Sequence, residues 1–256
     1  MEIVELGERE AILVRTPVSV KVVSGEAEVW GAPFDELNLE QEAMDLLITA
    51  KGNVKLELAK SDYLKVDNPI PEWWDSILDE LAGKLVIFIG RTDSGKSSSI
   101  LYLSNKLLSR GERVSLVDCD IGQSDLGPPG VIASANLERQ IYQVKMLEPE
   151  FMYFLGDKSP KGHLLQMLIG VQEAVRSVRE RTTLVNTTGF VDGAAARTLK
   201  RCKLEILQPD LTVFIEKYEN ELEHLVRSIP KGLKVIRVRS PVRITKDRSY
   251  RGLSRK

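Results

Sequence analysis

Two regimes of hydrophobic patterning divide the chain. Over the first sixty-odd residues apolar and polar positions alternate. Val18-Ser19-Val20-Lys21-Val22 and Val54-Lys55-Leu56-Glu57-Leu58 show the two-residue period of half-buried strands. Ala11–Arg15, Ala27–Trp30 and Leu46–Thr49 are further strand candidates, each close to Gly or Pro punctuation. The spacing predicts a small antiparallel β-module over residues 1–66, with no catalytic cluster inside it. The pattern changes at Asn68-Pro69-Ile70-Pro71, where each proline disfavours helix immediately before it. Pro71 can open a linker helix within residues 67–83. Its apolar positions are Trp73, Trp74, Ile77, Leu78 and Leu81, and Gly83 is the stop. The tryptophans read as packing anchors.

From residue 84 to 238 short apolar runs alternate with helical stretches. Leu85–Ile89, Val114–Val117, Thr183–Val185 and Leu211–Ile215 read as strands; Ser97–Leu108 and Leu164–Val178 read as helices. Strands apolar on both faces and separated by helices predict an α/β fold. Its mostly parallel sheet is flanked by helices and preceded by the β-rich module.

Composition supports a globular chain. Of 256 residues 43% are hydrophobic and 29% charged, which excludes a disordered or fibrous class. No apolar run approaches the ~20 residues that span a bilayer. The start carries acid where a secretory signal carries base. Only two cysteines occur, Cys119 and Cys202, so a reducing, cytoplasmic setting is expected. Two scattered histidines, His163 and His224, argue against a zinc site of ordinary spacing. The net charge of -1 hides an asymmetry: residues 227–256 carry +10 and the remainder -11. A cationic end on an acidic body is a footprint of phosphate or nucleic-acid binding, and also of a solvated basic helix.

The chemistry concentrates where the first α/β strand ends. Gly90-Arg91-Thr92-Asp93-Ser94-Gly95-Lys96-Ser97 satisfies G-x-x-x-x-G-K-[ST] between a strand and a helix. The two glycines let the backbone N–H groups curl around one anion, and the following helix adds the positive end of its dipole. Lys96 reaches the outer phosphates, and the Ser97 hydroxyl is a hard ligand for Mg²⁺. Gly90, Thr92, Asp93, Ser94, Gly95, Lys96, Ser97 and Ser98 are thus expected around a bound nucleotide. At the end of the second parallel strand stands Asp118-Cys119-Asp120-Ile121-Gly122-Gln123. Alternation along a strand sends Asp118 and Asp120 to one side, toward the crevice at the strand C-termini. One carboxylate there can take a proton from an attacking hydroxyl while the other holds the metal or its waters. Cys119 reads as a small core residue.

Gly90 to Ser98, Asp118 to Gln123 and Pro129-Gly130-Val131-Ile132 together resemble the consecutive motifs of the polynucleotide 5'-hydroxyl kinases of the Clp-one and Grc-three type, with their archaeal relatives. Thr187-Thr188-Gly189-Phe190 resembles the family's T-x-G-[W] clasp, with Phe190 where many members carry Trp. Tyr153-Phe154-Leu155-Gly156 with Ser159-Pro160 resembles its intervening loop, and the β-module resembles the small domain before its kinase core. The resemblance implies Mg²⁺-dependent transfer of the ATP γ-phosphoryl group to the 5'-hydroxyl of RNA or DNA in RNA processing. RNA-processing proteins are then possible partners. In that reading Lys96 and Asp118 are catalytic, and Ser97 and Asp118 attend the metal. Asp120, Gln123, Thr187, Gly189 and Phe190 hold the acceptor. The basic segment 239–256 resembles the start of the family's lid, whose R-x-x-x-R pattern fits Arg251 and Arg255, or Arg239 and Arg243. We take the first pair as the lid arginines. Family members usually continue into a further C-terminal domain, whereas this chain ends at Lys256, as a fragment or a small member would. A non-catalytic ATP-binding subunit and a nucleotide-hydrolysing switch ATPase are the competing classes.

Overall fold

The structure, a computed structural model, describes residues 1–40, 45–59, 63–67, 69–178 and 182–241. The chain forms two compact units, Met1–Glu72 and Trp73–Ser240.

In the first unit, among the described residues, seven strands make one antiparallel sheet. They are β1 (Glu2–Leu6), β2 (Glu10–Arg15), β3 (Val18–Val29), β4 (Ala32–Phe34), β5 (Glu36–Leu39), β6 (Asp45–Ala59) and β7 (Tyr63–Asp67). The path runs β4-β3-β6-β2-β7, with β1 added to β6 and β5 to β3. Alternation located β2, β3 and β6 but cut the last two short, and it did not find β1, β4, β5 or β7. Val18–Val22 and Ala27–Val29 belong to the single strand β3, with Trp30 in the turn after it, and Leu46–Thr49 and Val54–Leu58 belong to the single strand β6. The glycines that suggested breaks lie inside these strands. The β3–β6 register shifts between Val22, Ser24 and Glu26, and Gly25 sits there at φ +85°. A Cβ on Gly25 would stand 3.1 Å from Val54 Cα, so glycine here marks a bulge under a close neighbour.

The second unit begins with two short helices, α1 (Glu72–Ser76) and α2 (Leu78–Leu81), where the sequence pattern predicts one linker helix. They cover the next helix and do not hang free. Trp74 is buried, its indole N–H donates to Ser99 Oγ at 2.9 Å, and its ring lies 4.7 Å from Tyr102. The chain then runs β8 (Leu85–Gly90), α3 (Lys96–Ser109), β9 (Val114–Cys119), β10 (Val131–Leu137), β11 (Phe151–Phe154), α4 (Leu164–Ser177), β12 (Thr182–Thr187), α5 (Gly193–Leu207), β13 (Leu211–Glu216), α6 (Glu223–Val226) and β14 (Val235–Arg239).

These strands form a sheet in the order β11-β10-β9-β12-β8-β13-β14. The five from β9 to β14 are parallel, and β10 and β11 add an antiparallel edge. Residues of α4 and α5 share one core with Ile87, Ile89, Val117, Cys119 and Val185. On the opposite face Ile100 of α3 lies near Leu116 and Leu184. Burial on both faces explains the unbroken apolar runs that the sequence displays.

The basic C-terminal stretch begins as structure. Arg237 of β14 pairs with Glu216 and Glu223, Arg227 with Glu223, and Lys234 with Glu80. Part of the +10 charge is therefore spent within the fold. The candidate lid residues Arg243, Arg251 and Arg255 lie outside the described residues. Among the described residues no helix is long and apolar enough to cross a membrane.

Candidate active site

The parallel order sets β9, β12 and β8 side by side, so their C-terminal ends meet at one place. From β8 the chain curls into the phosphate loop. Asp93 and Gly95 adopt left-handed conformations, at φ +56° and +86°, and α3 starts at Lys96. A Cβ on Gly90 would lie 2.9 Å from Ile215 O and closer still to Ser94 Oγ, so only hydrogen fits at the start of the loop. The Ser94 hydroxyl is buried with no hydrogen-bond partner among the described residues. A buried donor left open at a helix N-terminus suits an anionic ligand.

Opposite the loop stands the segment after β9. Together they enclose a crevice of about 310 Å³, lined by residues 93–98 on one side and by Asp120, Gln123 and Asp125 on the other. Lys96 is buried and donates to Gly90 O at 3.0 Å and Arg91 O at 2.8 Å. Burial pulls its ammonium down to about 8, against the opposing charges of Asp120, Asp93 and Asp118.

Asp118 is placed differently from the expectation. It is 3% exposed and does not line the crevice. Its Oδ1 accepts from Asp120 N (3.0 Å) and Asn186 Nδ2 (3.1 Å), and its Oδ2 from Asp125 N (2.8 Å) and Leu126 N (3.3 Å). The physical reason is local. The strand ends at Cys119 and the chain turns back over Asp118, whose carboxylate then fastens the turn from Asp120 to Leu126. Burial pushes the Asp118 carboxyl up to about 6, partly offset by the backbone donors. It borders Ser97 and Asn186 in a smaller cavity behind the crevice. Asp120, beyond the strand end, is the carboxylate that faces Lys96 across the opening.

The four clasp residues also divide. Thr187 is buried at the end of β12 and its hydroxyl donates to Phe88 O at 2.7 Å, which ties β12 to β8. Gly189 presses against the phosphate loop: a Cβ there would stand 2.8 Å from Thr92 Cα, and nearer to Thr92 N. Phe190 is half-buried against the core shared by α4 and α5. Gly189 thus meets the loop directly, whereas the Thr187 hydroxyl is already engaged.

Several supports went unseen in the sequence. Arg91 pairs with Asp192 at 2.8 Å and with the buried Glu221 at 2.7 Å, and Lys217 Nζ donates to Thr92 O at 3.0 Å. Ser240 Oγ donates to Ser94 O at 2.8 Å. Asn186 and Asp125 complete the surroundings of Asp118. Asn186 carried a signal, a polar residue following two apolar ones in a buried strand. The others lie in turns, where polarity is ordinary. Cys119 is buried, its thiol pushed up to about 11 by burial, in keeping with a core role. Neither histidine reaches the crevice. His163 pairs with Asp157 at 3.3 Å and His224 with Val191 O at 2.9 Å.

The family described as mRNA cleavage and polyadenylation factor CLP1 P-loop matches residues 90–256. The chain belongs to this family. Among curated relatives, the polyribonucleotide 5'-hydroxyl-kinase of Pyrococcus horikoshii is 34% identical over 160 residues, covering 62% of this chain and 44% of that protein. The corresponding kinase of Thermococcus kodakarensis is 36% identical over 166 residues, covering 62% and 46%. The chain therefore spans under half the length of these relatives. The fold of the CLP1 family extends over nearly the whole chain. A chain from the solved wild-type Clp1p–Pcf11p complex superposes with a TM-score of 0.74 at 16% identity, covering 99% of this chain and 70% of that one.

Proposed function

We propose that this CLP1-family chain is an ATP-dependent polynucleotide kinase that phosphorylates the 5'-hydroxyl end of RNA or DNA, in an RNA-processing role. One observation carries the proposal: a phosphate loop with Lys96 and Ser97 faces a carboxylate, Asp120, across a single open crevice. Such a crevice has room for a triphosphate on one wall and an acceptor hydroxyl on the other. The archaeal relatives named as polyribonucleotide 5'-hydroxyl-kinases support the choice of acceptor.

Phosphoryl transfer depends chiefly on positioning and charge neutralisation. The loop N–H groups and Ser94 bind the phosphates. Lys96 transfers its donors from the Gly90 and Arg91 carbonyls to the outer phosphate oxygens. Asp120 accepts the proton of the 5'-hydroxyl. The hydroxyl oxygen bonds to the γ-phosphorus as the bond to the β–γ bridging oxygen breaks, and ADP leaves. The Ser97 hydroxyl and the Asp125 carboxylate are hard oxygens on the crevice wall that would hold Mg²⁺, which when bound would neutralise phosphate charge. Asp118 fastens the turn that presents Asp120 and Asp125, and it stands beside Ser97. Gln123 and Gly189 flank the acceptor end, with Phe190 and Thr187 supporting the clasp. Arg251 and Arg255 close the site as lid residues. A cytoplasmic setting accords with two free cysteines.

The direct test incubates the protein with γ-labelled ATP, Mg²⁺ and 5'-hydroxyl oligonucleotides of RNA and DNA. Label on either oligonucleotide, lost in Lys96→Met, is the expected result. ATP binding with no label transferred to any 5'-hydroxyl end overturns the proposal and leaves a nucleotide-binding subunit.

A further inference from the structure

Outside the crevice the second unit buries two lysines on one helix. Lys200 and Lys203 of α5 are each 1% exposed. Burying an ammonium group is costly unless it is bound, so each such side chain calls for a partner. Lys203 Nζ has no hydrogen-bond partner among the described residues. Lys200 Nζ donates to Thr188 O at 2.7 Å and lies 3.4 Å from Thr188 Oγ1. Thr188 occupies the middle of the clasp turn, between Thr187, whose hydroxyl is fixed to β8, and Gly189, which touches Thr92 of the phosphate loop. The clasp is thus held from below at two successive residues before it meets the loop.

Lys200 also lies within electrostatic reach of both lips of the crevice. Burial holds its charge well below the ordinary lysine value, helped by the like charges of Lys203 and then Lys96 and opposed by Asp120. An apolar side chain would pack here at lower desolvation cost. A buried cation in its place is explained by the carbonyl it holds.

The geometry points to Lys200 as a positioning residue for the acceptor: by binding the Thr188 carbonyl it fixes the clasp at the distance from the phosphate loop where the 5'-hydroxyl meets the γ-phosphate. This inference rests on the kinase reading. It concerns the acceptor side alone, because Lys200 forms no hydrogen bond to the phosphate loop among those of the described residues. A displaced clasp misplaces the hydroxyl, and a shift of about 1 Å at a reacting group can cost on the order of 100-fold in rate.

The experiment compares Lys200→Met, Lys200→Gln and Lys203→Met with the full wild-type chain. Lys200→Met is expected to raise the KM of the 5'-hydroxyl oligonucleotide, or lower kcat at saturating ATP, by about tenfold or more, with KM for ATP within about twofold of wild type. Lys200→Gln keeps a donor for the Thr188 carbonyl and restores at least part of the loss. Lys203→Met removes an equally buried charge that does not touch the clasp, and leaves acceptor kinetics unchanged. Unchanged acceptor kinetics in Lys200→Met, parallel rises in both KM values, or the same loss in Lys203→Met would each overturn the assignment. Wild-type transfer itself tests the kinase reading separately. Should wild type transfer nothing, amide hydrogen exchange over residues 186–191 decides the matter. Faster exchange in Lys200→Met but not in Lys203→Met shows that Lys200 braces the clasp although the kinase reading has failed, and equal protection refutes the bracing as well.

Discussion

The phosphate loop and the clasp that meets it at Gly189 are built by opposite means. The loop is bent by glycines and keeps polar groups open: Ser94 Oγ has no partner among the described residues, and Lys96 is held only by the carbonyls of its own loop. The clasp is braced. Thr187 is tied to Phe88, Thr188 to Lys200, and Gly189 lies against Thr92. A surface that receives an anion does well to leave donors unsatisfied, whereas one that aims an acceptor does well to have none to spare.

On the proposed reading the largest effects fall on Lys96 and Asp120, which line opposite sides of the crevice. Lys96→Met and Asp120→Asn are expected to lower transfer by roughly 100-fold to 10,000-fold. Asp120→Asn leaves ATP affinity nearly intact, and Lys96→Met weakens it. Steady-state transfer together with equilibrium ATP binding checks both, and near-normal transfer in Asp120→Asn would remove the carboxylate from the acceptor wall. Next comes the contact between the clasp and the phosphate loop. Gly189→Ala drives a methyl group into the Thr92 backbone and is expected to cost transfer about 10- to 100-fold, while the β-module keeps its protection from hydrogen exchange.

A smaller effect sharpens the contrast in stability. Lys96 has a folded-state pKa of about 8, below its unfolded value of 10.5. The native state then binds fewer protons than the unfolded state between pH 8 and 10.5. This group's penalty is full below pH 8 and is relieved as pH rises through that window. Lys96→Met is accordingly expected to raise the stability of the nucleotide-free protein at pH 7 by roughly 1 to 3 kcal/mol, less the two loop hydrogen bonds it loses. Asp118 has its pKa raised to about 6 from 3.8, so the folded state binds more protons between those values. Its contribution falls as pH rises from about 4 to 6, and Asp118→Asn flattens that part of the stability curve. The smallest effect is Trp74→Phe, which loses the bond to Ser99 Oγ for about 1 kcal/mol without altering transfer. Denaturant melts over pH 4–10 read all three.

The phosphate loop itself was legible because its chemistry is local, whereas its braces from Lys217 and Ser240 were not. Eight consecutive residues, placed between a strand and a helix, carry the loop, the lysine and the hydroxyl. The opposite wall of the crevice depends on tertiary pairing, which one-dimensional patterning does not encode. Asp118 and Asp120 looked equivalent by alternation, but the chain folds back at Cys119, so one is buried as a brace and the other lines the opening. Lys200 was visible only as part of a basic cluster with Arg197, Arg201 and Lys203, and nothing in its spacing showed that it faces inward. In the β-module, Gly25 and Gly52 resembled strand ends because glycine marks turns and bulges alike, and only the partner strand distinguishes them. The edge strands β10 and β11 and the last parallel strand β14 were missed. Their runs are short or charged, as in Val235–Arg239, where Arg237 is neutralised by glutamates distant in sequence.

The most direct measurement follows where the γ-label goes at saturating ATP when the acceptor is a 5'-hydroxyl oligonucleotide, the same strand already 5'-phosphorylated, or water alone. A crevice that sets an acceptor hydroxyl between Asp120 and the bound triphosphate predicts label on the 5'-hydroxyl strand, none on the blocked strand, and little free phosphate. Label appearing only as inorganic phosphate, at a rate indifferent to the strand's 5' end, would contradict it.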